Sequence, residues 1–383
     1  MTETPSLALL DDLSITSYGN CELPLHEVVR NGLRSVINDH FKDGQRFWTE
    51  AEVQEKLNVS RVTVRRALTA LVAEGCLVRH RSRGSFVRVA TVGSMPDGRS
   101  IRDHERPKSV GIFAPYSNSE FWGDVIDQLS VVAGESGLSC HVYSYEKGEP
   151  GESIIAQVAT KPSDETLVLL GDTNIATAEI YRLLTARGFY AIVVDMPIRE
   201  FPAPFVGSDN DMGVYMGMRH LIELGHRRIT MLSIEPPNNV NTQLRVNAFT
   251  AAALENGLTD TRVCHIDLTI PASRAVPAAM DSIWDAPAHR PTAIFCDSAD
   301  SSVAALKWCV EQGIAVPGDV SILGFDTTRQ VQFARPPLTC IAQPLREIAE
   351  VVVELLERPA MRHILLPPKL IVRESTAAQA NHA

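Results

Sequence analysis

Apolar positions along this chain change their period once. In the first part they recur every three or four residues. Leu25, Val28, Val29, Leu33, Val36 and Ile37 keep helical spacing, so a first helix buries one face. Thr49 opens a second, short helix, with Glu52 three residues on as its capping-box partner, Val53 and Leu57 as its buried side and Asn58 as its end. Ser60 caps a third helix, on which Val64, Ala67, Leu68 and Leu71 share one face. Arg65, Arg66 and Thr69 lie on the opposite face, and Arg61 lies at the N-terminal end. Glu74-Gly75 stops this helix, and 77–80 and 86–89 read as two strands joined by a tip at 81–85. From Ser109 the texture differs. Short apolar runs at 110–114, 167–170, 191–195, 229–234, 293–296 and 320–325 alternate with helical patterns. Strands alternating with helices imply parallel sheets and a doubly wound α/β body, with enough cycles for two lobes.

These patterns divide the 383 residues. Residues 1–20 read as an N-terminal tail and 21–90 as a small helical domain with a two-stranded wing. Residues 91–108 read as a linker, because Gly93, Pro96, Gly98 and Pro107 stand among charged residues without apolar periodicity. The body runs over 109–376, and 377–383 form a C-terminal tail.

Charge gives the small domain a purpose. The chain carries a formal net charge of -10, yet 58–90 hold seven Lys/Arg against one acid. A basic island on an acidic protein is an electrostatic footprint for phosphate. An α-helix fits the DNA major groove and presents its N-terminal residues to base edges. A basic helix face standing alone is as readily a solvated surface. The two preceding helices and the wing arginines Arg79, Arg81, Arg83 and Arg88 weigh against that alternative.

Other classes are disfavoured. Seven scattered cysteines without a C-x-x-C argue against a disulfide framework or zinc knuckle and for a reducing cytosol. There is no basic segment followed by an apolar stretch at the N-terminus, and no apolar run long enough to span a bilayer, so the expectation is a cytoplasmic protein without membrane contact. The first body strand runs into Pro115-Tyr116-Ser117-Asn118 rather than a G-x-G-x-x-G turn, and P-loop, G-x-S-x-G and H-E-x-x-H strings are absent. The histidines do not cluster at metal spacing. No catalysis, cofactor or metal is expected.

The strings PLHEVV, WTEAEV, LNVSRVTVRRAL and LVAEGCLVRHRSRGSFV over 24–88 resemble the GntR-type winged helix-turn-helix, without gaps. The resemblance implies DNA contact through Thr49, Ser60, Arg61, Thr63, Arg65 and Arg66, with Arg81 and Arg83 in the wing and Gly84 letting the wing backbone approach the minor groove. The family often has an arginine after the pair that opens helix two; here Thr49-Glu50 is followed by Ala51. Farther on, HLIELGHRRI at 220–229, PTAIFC at 291–296, VPGDVSILGFD at 316–326, PPLT at 336–339 and LIVRES at 370–375 resemble the LacI/GalR effector body. That body implies two Rossmann-like lobes, joined by three crossings, with a small ligand between them. The crossings are expected near 206–208, 325–328 and 341–344, giving lobe 1 residues 109–206 plus 327–340 and lobe 2 residues 207–325 plus 341–376. The combination resembles sugar-responsive repressors of the arabinose-repressor type.

Ligands of open α/β sheets bind at the carboxyl ends of strands. Asp195 and Asp326 end two of the runs, Ser298 follows a third, and Arg245 opens a helix. Carboxylates beside a guanidinium supply the acceptors and donors that a polyol needs. Phe121 and Trp122, just past the first body strand and after Asn118, could stack on a sugar ring. In the LacI-type pattern the positions matching Asp195, Arg245 and Asp326 contact inducer. Alternatives stand beside each: Asp195 and Asp326 as helix caps, Arg245 in a structural pair, Trp122 as core, and His226-Arg227-Arg228 as the shaping of a turn. Ser298-Ala299 replaces an Asn-Asp pair of the family, with Asp297 or Asp300 as substitutes. The expectation is a homodimeric repressor that binds double-stranded DNA and is released by a sugar. Its rivals are an activator or co-repressed regulator of the same fold, and a sugar-processing enzyme or sugar-binding protein with an incidental head.

Overall fold

The computed structural model describes residues 5–10, 25–42, 44–73, 76–80, 84–87, 107–116, 119–146, 149–158, 165–171, 176–198, 201–234, 239–266, 272–285 and 289–379. The head is built from α1 (Leu25–His40), α2 (Glu50–Leu57), α3 (Arg61–Ala73) and an antiparallel wing, β1 (Leu77–His80) and β2 (Gly84–Val87). The Thr49 capping box forms, and Asn58 ends α2 in the left-handed region at φ 50°. Val64, Ala67, Leu68 and Leu71 are buried together with Leu33 and Ile37. Phe41, Phe47 and Trp48 pack ring against ring at 5.0–5.3 Å, an aromatic centre that helical periodicity does not reveal. The second wing strand starts at Gly84, two residues before the expected start at 86, and Gly44–Phe47 hydrogen-bond along its other edge. Gly84 has φ +92°, a backbone that favours glycine. Within the expected tail at 1–20, Leu7–Leu10 form a 3-10 turn whose Leu10 enters the head core, while the Trp48 indole donates to the Pro5 carbonyl at 2.8 Å. The linker residues 91–106 lie outside the described residues.

The body begins with β3 (Ser109–Pro115), α4 (Glu120–Glu135), β4 (Ser139–Tyr145), α5 (Gly151–Ile155), β5 (Glu165–Leu170), α6 (Ala176–Ala186), β6 (Ala191–Val194) and β7 (Phe205–Ser208). It continues with α7 (Asn210–Glu223), β8 (Arg228–Ser233), α8 (Val240–Glu255), β9 (Asp260–His265), α9 (Ala272–Trp284), β10 (Ala293–Cys296), α10 (Ala299–Glu311), β11 (Ser321–Phe325), α11 (Arg329–Phe333) and β12 (Thr339–Ala342). It closes with α12 (Leu345–Glu357), β13 (His363–Leu366) and β14 (Lys369–Ile371). Two six-stranded sheets result, ordered β13-β7-β6-β5-β3-β4 in lobe 1 and β14-β12-β11-β10-β8-β9 in lobe 2. Among the described residues of these two sheets, β14 alone runs antiparallel to its neighbour. The central strands β5, β6, β7, β10 and β11 are buried along their whole length, which is why all but the short β7 carry apolar runs in the sequence.

The division of the lobes differs from the sequence reading. The sequence pattern places 327–340 in lobe 1 and 341–376 in lobe 2, with a crossing near 325–328. Instead β12 pairs with β11 inside lobe 2, whereas α12 packs on α4 and β13 pairs with β7 inside lobe 1. Parallel neighbours need a crossover of roughly a dozen residues. The segment 326–338, which carries α11, is that crossover and not a passage between lobes. The chain passes between lobes at 208–210, 342–345 and 366–369. The start of the expected C-terminal tail is also docked on lobe 2: Ala377 donates to Ser321 Oγ at 3.1 Å and Gln379 to the Leu224 carbonyl at 2.8 Å. His226 is buried there between Thr292 and Ala377, shaping the α7–β8 turn.

Candidate DNA interface and effector junction

One carboxylate gathers three arginines of the head. Glu50, in the first turn of α2, accepts from Arg79 Nη2 at 2.7 Å and from Arg65 Nε at 3.5 Å, and lies 3.9 Å from Arg61 Nε. Arg61 and Arg65 stay exposed at 70% and 55% beside this shared carboxylate. Sequence reasoning missed Glu50, because an acid in a first helical turn already has a local explanation in the helix dipole. Its partners lie 15 and 29 residues away.

The remaining head residues take varied positions. Thr49 holds the Glu52 cap and Ser60 accepts from Thr63 N at 3.1 Å, so these hydroxyls serve helix ends on the exposed side. Gly84 is exposed at the wing. Arg66 turns away from Arg65 and pairs with Glu255 at the end of α8. Arg81 and Arg83 lie outside the described residues.

In the body the structure brings three predicted residues together. Asp195 closes β6 in lobe 1, and Asp326 closes β11 in lobe 2, both at φ 72°. Arg245, on α8, is buried between their ends, with its guanidinium 3.7 Å from the centre of the Phe325 ring. Burial pushes the Asp195 carboxyl up to about 7, with Asp326 adding to the rise while Arg245 and an Asn241 hydrogen bond oppose it. Burial likewise raises Asp326, against Arg245 and a 2.7 Å bond from Gln343 Nε2. Neither aspartate caps the following helix by side chain; Thr328 precedes α11.

Amides thread these charges together across the junction. Asn241 Nδ2 donates to Asp195 Oδ2 at 3.2 Å, and Asn210 Nδ2 donates to Asn241 Oδ1 at 3.2 Å. Arg245 Nε donates to Asn210 Oδ1 at 2.7 Å, and its Nη1 to the Asp297 carbonyl at 2.5 Å. Asn210, Asn241 and Gln343 were not singled out from sequence; the signal for Asn210 is its place directly after a lobe crossing. Asp297, fully buried, accepts from Ser233 Oγ at 2.7 Å and Ile234 N at 3.1 Å, tying β8 to β10 where the strand order of lobe 2 reverses. Ser298 caps α10 through a reciprocal bond with Ser301. Phe121 and Trp122 lie 5.2 Å apart on α4 and pack against the lobe 1 core, the role weighed as the alternative for Trp122. Asn118 lies outside the described residues. Among the described residues no group of three or more His, Cys, Asp or Glu could hold a metal ion.

Comparison with known proteins agrees with both halves. Residues 25–87 match the model of the bacterial regulatory proteins of the gntR family, and residues 218–376 match a periplasmic binding protein-like domain. The arabinose metabolism transcriptional repressor of Halalkalibacterium halodurans is 26% identical over 90% of this chain and 93% of its own length. The HTH-type transcriptional repressor CytR of Escherichia coli is 28% identical over 86% of this chain and 96% of its own. Among solved structures, the lac repressor dimer bound to operator and an anti-inducer superposes with a TM-score of 0.60 at 20% identity, over 72% of this chain and 96% of that one. A LacI-family regulator from Enterococcus faecium with bound ribose gives 0.60 at 21% identity, over 71% and 100%. The chain therefore joins a GntR-type DNA-binding head to a periplasmic-binding-protein-like body of the LacI-regulator fold.

Proposed function

We propose that this protein is a ligand-responsive transcription repressor of carbohydrate-utilisation genes, released from its operator by a sugar. The observation that carries this reading is a pair of opposite charge environments on one chain: arginines held exposed on a recognition helix, and an aspartate–arginine–aspartate group buried between two lobes. Hydroxyl groups of a polyol donate to carboxylates and accept from a guanidinium. Asp195 belongs to lobe 1, and Arg245 and Asp326 to lobe 2. A molecule that satisfies all three bridges the lobes and favours one lobe arrangement. It works only through its differential affinity for the two arrangements. The head acts as a homodimer in the cytoplasm, reading paired half-sites whose spacing the bodies set. Support comes from the relatives that span nearly the whole chain, both repressors by name, the first of arabinose metabolism.

The test is calorimetric titration of the full chain with a panel of pentoses, hexoses and their phosphates. One of them binds the wild type and loses affinity in Arg245→Ala and Asp326→Asn. A panel without any binder, or a binder indifferent to both substitutions, removes the sugar from the account.

A further inference from the structure

The head does not stand apart from the body. Arg66 of α3 pairs with Glu255, and that carboxylate also accepts from Tyr215 OH at 2.7 Å, so two body elements hold it for the arginine. Arg30 of α1 pairs with Asp209, the N-cap of α7 at the first lobe crossing, and both side chains are at least nine-tenths buried. The His26 ring is 5% exposed and lies 6.0 Å from the Tyr215 ring. Ala70 falls outside the apolar face 64/67/68/71, yet it too is buried. It sits one helical turn from Arg66 and lines, with Arg30, Ser208, Asp209, Val240 and His363, a cavity of about 30 Å³. His363, on β13 of lobe 1, is held down at about 3 by burial, with Arg34 and Arg30 of the head adding to the effect. The head thus touches both lobes beside the passages between them.

We infer that this is an autoinhibitory docking, in which the body's Glu255 takes the place of a DNA phosphate on Arg66 and holds the recognition helix against the interlobe junction. One guanidinium edge cannot serve Glu255 and DNA together. Arg66 is 18% exposed where Arg61 and Arg65 are 70% and 55%. Because the contact spans residues of both lobes, a relative movement of the lobes alters the docking surface, and the effector junction and the head share one mechanical element. Apparent DNA affinity is then the intrinsic affinity reduced by the undocked fraction. The inference rests on the DNA-binding reading of the head and adds its regulation.

The test uses the full chain and Glu255→Gln, which keeps an acceptor for Tyr215 and removes the charge. Binding to mixed-sequence duplex DNA is measured by fluorescence anisotropy at low ionic strength. In parallel, diethylpyrocarbonate modification of His26 is followed by mass spectrometry against His289, an exposed internal standard. The docked state predicts that E255Q binds DNA about 2- to 5-fold more tightly, the range for one partly exposed ion pair. It also predicts that wild-type His26 reacts more slowly than His289 and speeds up in E255Q. Unchanged or weaker DNA binding by E255Q overturns the proposal. So does wild-type His26 reacting as fast as His289, or tighter DNA binding with His26 still protected. Protection of His26 that E255Q relieves, with no DNA binding by either protein, overturns the DNA-binding reading of the head and with it the inhibitory meaning of the docking.

Discussion

Head and body use the same residue type in opposite surroundings. Arg65 of the head is more than half exposed, with Glu50 3.5 Å away. Arg245 of the body is 6% exposed, stacked on Phe325 and hydrogen-bonded to Asn210 and Asp297. An exposed guanidinium interacts weakly with each neighbour and can exchange partners for DNA, so its contribution is salt-sensitive and modular. A buried guanidinium cannot be removed without leaving charges unpaired in a low-dielectric site. On the proposed function, exposed arginines suit a polymer of charge, whereas a buried network suits one small molecule that completes it.

Head and body also differ in the size of their cores. The head is small and leans on Phe41, Phe47 and Trp48, so Phe47→Ala should cost it about 3–5 kcal/mol. That loss should lower the melting of the head below that of the body, which still melts cooperatively, giving two separate transitions in calorimetry. A single shared transition would mean that head and body are one folding unit.

Removing the buried charge comes next. Arg245→Ala should weaken sugar binding by roughly 100-fold or more, because Asp195 and Asp326 then face each other without the cation. DNA binding in the absence of sugar should persist. If DNA binding fell equally, Arg245 would be a general structural residue and not an effector contact.

Arg65→Ala should lower operator affinity by about 10-fold and flatten its salt dependence, leaving sugar binding untouched. An unchanged affinity would remove Arg65 from the DNA-reading face. The smallest effect is on stability against pH. The Asp195 carboxyl is raised in the folded state to about 7 from 3.8. Its contribution is therefore fully present below the ordinary value and is lost as pH rises through the raised one. The body should melt a few degrees lower at pH 8 than at pH 5, and Asp195→Asn should flatten that slope. An equal slope in the variant would place the titration elsewhere, in Asp326 first.

These contrasts also explain what the sequence could tell. The head was legible nearly residue by residue, because capping, helical spacing and a basic island on an acidic chain are local signals. Thr49, Asn58 and the face of α3 are where the pattern places them. Glu50 was not legible, since its value lies in pairing with Arg65 and Arg79 across the turn. In the body the buried strands were plain as apolar runs, and strand ends pointed to Asp195 and Asp326. The lobe assignment failed at 327–340 because a crossover containing only the five-residue α11 looks like a passage between lobes. Asn210, Asn241 and Gln343 were hidden for a related reason. A buried amide is chosen by the geometry of three crossing strands, and no spacing rule along the chain records it.

Binding of the full chain to DNA upstream of its own gene, titrated with the panel of pentoses, hexoses and their phosphates, decides between a sugar-released repressor and its rivals. A repressor of this kind binds tightly and salt-sensitively, is released by one sugar, and loses that release in Arg245→Ala. Binding that no sugar alters, or that a sugar strengthens, would contradict a repressor released by its effector.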